Sequence, residues 1–265
     1  MEASAVAGAF AFMVACNAMA TKKVFGGKDN KEVSDENPTY LTPDGKTFAV
    51  WGMIYLLETA LVFAQWSSTE STEALMERQC PLTGLDVRER LILAFIANGI
   101  WLPIFLNEYF WTALAIMVAY LAFLVSIYTD VNMATTEGIF EHICLASGIA
   151  MNASWIVVAL SVNVFVALGK MGWKNEHGVA GNDFLAMLVI LLVALLAAWR
   201  VLAICDFAWA VVAAWALMGI KRMQTEEDAV RFPPAGMDET IARLAKQCSM
   251  VVLACIVIAA GVWYL

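Results

Sequence analysis

The chain has 265 residues, of which 62% are hydrophobic and 15% charged, and its mean hydropathy is +0.72. A soluble domain is closer to half apolar and a quarter charged, so this balance excludes a soluble enzyme and a disordered chain. The formal charge of −8, from 16 Lys and Arg against 24 Asp and Glu, leaves no basic footprint for nucleic acid. What remains is a polytopic membrane protein.

A helical crossing needs about 20 mostly apolar residues. In chain order, eight candidates run at 3–20, 47–66, 90–108, 111–129, 143–167, 184–202, 205–220 and 245–264. In the first, Ala18-Met19-Ala20 resembles a signal-peptidase site, but the segment opens on Glu2 with no Lys or Arg before its apolar run, so it reads as a retained helix. The run 184–220 is too long for one crossing; Arg200 and Asp206 interrupt it and divide it into a hairpin.

The loops carry the charge and the breakers. Segment 21–46 holds Lys22, Lys23, Lys28, Lys31 and Lys46 with Gly26-Gly27, Pro38 and Pro43, and as the longest loop it has the reach to cover one end of the helices. Segments 67–89 and 168–183 are polar or glycine-rich. Segment 221–244 holds Pro233-Pro234 and an amphipathic start from Asp238. The odd-numbered loops contain 12 Lys and Arg and the even-numbered ones four, which places the odd loops in the cytoplasm and both termini opposite. Losing one crossing would reverse the parity of everything after it.

Six cysteines are present; Cys16, Cys144, Cys205, Cys248 and Cys255 lie in or beside apolar runs and Cys80 in a polar stretch. This is neither a disulfide framework nor a CxxC metal site, and buried cysteine serves as small apolar filler. Two histidines, His142 and His177, leave little material for a metal site.

Polar groups inside crossings face protein or a cavity. At about 100° per residue, Trp51, Tyr55 and Glu58 share one side of helix two. Glu58, near mid-membrane, must be protonated, paired or hydrated; it reads either as a ligand or proton contact or as a hydrogen bond between helices. In helix three, Asn98, Trp101 and Phe105 share a side, with Pro103 between them freeing a carbonyl. In helix five, Glu141, Gly148, Asn152, Trp155, Ala159 and Asn163 form a stripe of polar and small residues around one large aromatic. A packing seam explains the stripe, and a seam that also lines a cavity explains Trp155 as well. Trp66, Trp111, Trp173 and Trp263 lie near crossing ends and read as interfacial belt residues. Trp51, Trp101 and Trp155 are deeper or on the polar stripes, and Trp199, Trp209 and Trp215 fit either role. The methionines read as adaptable filler.

These residues carry a resemblance. Asn98-Gly-Ile-Trp101-Leu-Pro103-Ile-Phe105 is similar to the N-x-x-W-x-P-x-F motif of the tryptophan-rich sensory protein and translocator protein (TspO/MBR, peripheral benzodiazepine receptor) family. Val50-Trp51-Gly-Met-Ile54-Tyr55 is similar to its V-W-x-x-L-Y, and Trp155, Ala159 and Asn163 match its W, A and N spacing in the fifth helix. The resemblance covers residues 3–167. Residues 32–48 resemble a longer branch of TspO-related proteins with extra C-terminal helices.

The eight apolar runs and the resemblance together give an all-α polytopic membrane helix bundle of about eight transmembrane helices. Residues 1–167 would be a TspO-like five-helix core, and 168–265 a three-helix extension of the same membrane domain. The resemblance also implies an apolar pocket closed by the first loop, taking a porphyrin or other tetrapyrrole, or a sterol. Carried over residue by residue, its lining is Trp51, Tyr55, Asn98, Trp101, Trp155 and Ala159; the residue pattern adds Glu58, Phe105 and Asn152, while Asn163 would support packing. Two departures bear on the ligand: Met151-Asn152-Ala153-Ser154 stands where the family places Pro-Tyr, and the first loop has no tryptophan. With both absent, no residue is assigned a catalytic role.

The leading expectation is therefore a membrane binding or sensing protein. Its partners would be the lipid bilayer, a hydrophobic small-molecule ligand, and a second copy of the chain or a membrane complex, with no nucleic acid. The competing classes are an accessory subunit of a membrane complex, a pigment-protein complex among them, docked through helices six to eight, and a transporter using Glu58, Glu141, Arg200 and Asp206. No repeated half with paired broken segments speaks for the transporter.

Overall fold

A computed structural model describes residues 2–66, 69–134, 138–225 and 238–263. Among them the chain is helical: α1 (Ala3–Thr21), α2 (Asn30–Glu36), a 3₁₀ turn (Gly45–Ala49), α3 (Val50–Ala64), α4 (Glu70–Met76), α5 (Val87–Leu106), α6 (Phe110–Asn132), α7 (Ile139–His142), a π turn (Ile143–Ser147), α8 (Gly148–Lys170), α9 (Asp183–Ile204), α10 (Phe207–Met223) and α11 (Glu239–Trp263). Only isolated bridges, Thr39 to Ala180 and Lys174 to Ala180, interrupt this pattern. The Pro233-Pro234 break and the side chain of Trp263 lie outside what is described.

Seven segments among the described residues are long and apolar enough to cross a membrane, so the chain is a multi-pass membrane protein. They fall on seven of the eight expected crossings. The eighth expectation, 205–220, is realised as α10, whose 17 residues are shorter than the roughly 20 a crossing needs. Its apolar stretch is bounded by Asp206 at the start and by Lys221 and Arg222 in its last turn.

Local chemistry sets the helix ends. Asp86 accepts from the Glu89 amide at 2.7 Å while the Asp86 amide donates to the Glu89 carboxylate at 2.9 Å. This capping box starts α5 three residues ahead of the apolar run. The expected break between α9 and α10 falls at Cys205, which adopts a left-handed φ of 55°. The Asp206 carboxylate then accepts from the Trp209 amide at 2.9 Å and opens α10.

The chain divides into two compact units, residues 1–30 with 51–153, and residues 31–50 with 154–265. The boundary inside α8 follows contacts within the chain; the expected division at 167/168, of family core against extension, is a boundary of another kind.

In the first unit α1 packs on α5, and α5 on α6. Gly99 permits the first approach, since a Cβ there would sit 2.7 Å from the Phe12 ring. Arg90 is buried and donates to Asp130 at 2.6 Å and to the Arg78 carbonyl at 2.9 Å. Arg78 in turn donates to the Asp130 carbonyl at 3.2 Å.

In the second unit α10 packs on α9, on α11 and on the 3₁₀ turn. Ser154 donates to the Trp209 carbonyl at 2.9 Å and Ser249 to the Ala214 carbonyl at 3.0 Å. The first loop is tied to the same helices. Arg222 donates to Asp44 at 2.8 Å and to the Thr47 hydroxyl at 3.0 Å. Thr47 also donates to Asp44, and the Trp215 indole donates to the Thr47 carbonyl at 2.9 Å. Gly219 lies so close that a Cβ there would fall 2.1 Å from the Thr47 hydroxyl. Further along, the Ala180 amide donates to the Pro38 carbonyl at 2.8 Å and Asn175 to the Tyr40 hydroxyl at 2.9 Å.

Burial works to raise the Asp44 carboxyl, but hydrogen bonds from Arg222 and Thr47, with the guanidinium charge, outweigh it and hold the group below its usual range. A carboxyl lowered in the folded state stabilises it above the ordinary carboxylate range, and that contribution is lost as pH falls through the lowered value. Asp44→Asn is expected to cost about 1.5–3 kcal/mol at neutral pH. It should also remove part of the destabilisation that the parent protein shows below pH of about 4. Thermal unfolding in detergent between pH 7 and pH 3 measures both, and coincident curves for the two proteins would show that the pair contributes nothing.

Candidate functional site

Seven of the nine expected site residues belong to the first unit: Trp51, Tyr55 and Glu58 on α3, Asn98, Trp101 and Phe105 on α5, and Asn152 on α8. Trp155 and Ala159, further along α8, belong to the second.

In the first unit the polar members meet. Asn152 donates to Glu58 Oε1 at 2.6 Å and to the Tyr120 hydroxyl at 2.6 Å. Asn98 donates to the same hydroxyl at 3.2 Å and accepts from Asn17 at 3.0 Å. Five side chains from α1, α5, α6, α8 and α3 thus form one hydrogen-bonded chain, Asn17–Asn98–Tyr120–Asn152–Glu58. Glu58 and Asn152 are wholly buried, at 0% exposure. The contact depends on Gly148, where a Cβ would lie 2.9 Å from the Glu58 backbone nitrogen; this glycine lets α8 reach the middle of α3. Three buried polar atoms beside this chain, Tyr55 Oη, Glu58 Oε2 and Asn152 Oδ1, have no hydrogen-bond partner among the described residues.

The aromatic members are arranged in pairs. Trp51 stacks on Tyr55 with centroids 5.3 Å apart, and Trp101 on Phe105 at 4.8 Å. Phe105 also tilts against Phe110 at 5.3 Å. Trp51 and Trp101 are half-buried and Phe105 is buried. In the second unit Trp155 is buried and packs edge-on against Phe48 at 5.6 Å and 78°. Asn163 donates to the Ala159 carbonyl one turn back at 2.9 Å.

Glu141 departs from the expected stripe. The π turn at Ile143–Ser147 changes the helical phase between Glu141 and Gly148, so counting at a constant angle fails across it. Glu141 accepts instead from Thr69, Ser71 and Thr72. Of the other charges considered, Asp206 caps α10, and the Arg200 guanidinium lies over the Trp199 and Trp209 rings at 5.2 and 5.3 Å. Trp66 and Trp111 are exposed near helix ends, as an interfacial belt requires, while Trp173 packs against Phe165 at 5.2 Å. No group of three His, Cys, Asp or Glu that could hold a metal occurs among the described residues.

Asn17 and Tyr120 were not among the expected residues. The signal for Asn17 is a lone amide inside α1, an otherwise apolar run. Tyr120 carries a hydroxyl at the centre of α6.

Asn152→Leu removes two donated hydrogen bonds at once and is expected to lower stability by about 1–3 kcal/mol. Tyr120→Phe should cost less, about 0.5–1.7 kcal/mol, because it keeps the ring. Unfolding titrations in mixed micelles measure both. Wild-type stability in the two variants would show that the polar chain does not hold these helices.

A family model described as TSPO-like protein matches residues 3–261, from the start of α1 to the last turn of α11. The match takes in α9 to α11 as well as the segments that carry the three motifs. Comparison with curated proteins and with solved structures yields no match. With nearly the whole length matched, the chain belongs to the TSPO-like protein family.

Proposed function

We propose that this protein is an integral membrane binding or sensing protein. Its guest is a flat, largely apolar ligand of the tetrapyrrole or sterol class, held against Trp51, Tyr55, Glu58, Asn98, Trp101, Phe105 and Asn152. One observation carries the reading: Tyr55 Oη, Glu58 Oε2 and Asn152 Oδ1 are buried without partners among the described residues. Inside hydrocarbon such atoms are costly. A ligand whose polar edge donates to Glu58 and Asn152 and accepts from Tyr55 relieves all three. The stacked pairs Trp51–Tyr55 and Trp101–Phe105 supply the aromatic surface that flat apolar ligands favour.

Trp155 and Ala159 enter the proposal through the family motif. Residues 1–167 act as the binding core in this reading, and 168–265 as an extension of the same membrane domain. With α10 counted as a crossing, the odd-numbered loops face the cytoplasm by their Lys and Arg content, and no catalytic residue is assigned. A second copy or a membrane complex is the proposed protein partner.

The test is a porphyrin titration of the purified protein followed by tryptophan fluorescence. Trp101→Leu is expected to weaken binding about tenfold, a loss of about 1.4 kcal/mol, and Trp155→Leu should weaken it as well. Loss in Trp101→Leu alone would confine the ligand to the first unit. Unchanged affinity in both variants would remove the proposed site.

A further inference from the structure

The helix α11 runs for 25 residues, longer than the roughly 20 a crossing needs. One side of it is buried, through Ile241, Ala245, Ser249 and Val252, and α9 and α10 pack on this helix. The opposite side carries Met250, Leu253, Val257 and Ile258, all exposed and apolar. In a membrane span such a side faces lipid.

Arg243 and Lys246 continue the lipid-facing side towards the start of the helix. Lys246 precedes Met250 by four residues and Leu253 by seven, and Arg243 precedes Met250 by seven. At about 100° per residue, each of these spacings returns a side chain to within about 40° of the same direction. Both cations are exposed, and neither side chain has an ion-pair or hydrogen-bond partner among the described residues. Counting about 20 residues back from Trp263 puts the edge of the hydrocarbon near Leu244. Arg243 stands just outside that edge, and the Lys246 stem is long enough to carry its ammonium back to the same level.

The carboxylates at this end of the helix do not cancel the pair. Asp238 is engaged in capping, accepting from the Thr240 and Ile241 amides at 2.8 and 3.0 Å. Glu239 is exposed and shares the side of Arg243, but it lies a further turn away from the apolar stripe. The chain as a whole has a formal charge of −8. Attraction of an anion must therefore come from a local site and not from the net field.

We propose that Arg243 and Lys246 bind the phosphate-bearing head of an anionic phospholipid, whose acyl chains lie along Met250, Leu253 and Val257. Charge complementarity and the continuity of the two cations with the lipid-facing side select this occupant. A zwitterionic head brings its own ammonium against the cations. A free anion gains nothing from the apolar stripe.

The full chain in neutral detergent is titrated with phosphatidylglycerol or with phosphatidylcholine of the same acyl chains, and bound lipid is counted by native mass spectrometry. Phosphatidylglycerol is expected to bind about tenfold more tightly, the order of gain for cations near a membrane surface. In Arg243→Gln/Lys246→Gln the preference should fall to about twofold or less. Removing the same charge elsewhere, from the exposed Lys22 and Lys174 as Lys22→Gln/Lys174→Gln, should leave it intact.

Equal affinity for the two lipids in the parent, or a preference that survives in Arg243→Gln/Lys246→Gln, overturns the proposal. An equal loss in Lys22→Gln/Lys174→Gln shows an effect of general charge and also overturns it. Displacement of phosphatidylglycerol by inorganic phosphate at constant ionic strength assigns the cations to a free anion, against the lipid. If Arg243→Gln/Lys246→Gln does not fold, the parent carries the test through salt. Raising NaCl from about 0.05 M to about 0.5 M should erase the preference, and a preference that salt leaves unchanged sinks the site.

Discussion

In hydrocarbon, a polar side chain has nothing to bond to except another part of the protein. The first unit answers that constraint with one connected chain of side chains, from Asn17 through Asn98, Tyr120 and Asn152 to Glu58. Each member comes from a different helix, so each bond fixes a pair of helices in register as well as satisfying a polar group. Apolar packing between membrane helices competes with equally apolar lipid. The polar chain and the close approach at Gly148 therefore specify the arrangement more sharply than the surrounding leucines and valines do. The aromatic pairs on α3 and α5 take their places from that arrangement.

Much of this was legible in the sequence because the bilayer imposes a length. The expected crossing 184–202 is α9, Asp183–Ile204, and the expected break between Arg200 and Asp206 is the turn at Cys205. Glu58 and Asn152 were recognisable separately as polar groups that must face protein, and they meet at 2.6 Å. Their pairing was not legible, because it depends on helices 94 residues apart in the chain. Tyr120 escaped notice because its ring passes as apolar while its hydroxyl joins three helices. Glu141 was placed on a stripe by constant-angle counting, which a π turn defeats. The expected segment 205–220 is α10, Phe207–Met223, which begins two residues later and runs on through Lys221 and Arg222.

The second unit gives a physical account of why residues beyond 170 matter to a loop that precedes residue 50. Asp44 and Thr47 are held by Arg222 and Trp215, and the backbone passes Gly219 with no room for a side chain. Tyr40 receives Asn175 on its hydroxyl and Gln224 on its carbonyl. The first loop therefore has fixed partners on α10 and on the segment between α8 and α9. Its proline and glycine content, which by itself reads as freedom, is constrained by these contacts. The family match across α9 to α11 agrees with an extension that is part of the architecture.

The five-residue π turn ahead of α8 carries one residue more than a regular helix would need to cover the same rise. Any relative lacking that residue would have to be aligned with a one-position gap between Ile143 and Ser147. Without the gap, every upstream position would be matched to a neighbour rotated by about 100°. Glu141 would then be compared with a side chain pointing somewhere else, and the hydroxyl-bound carboxylate would pass for an unremarkable substitution.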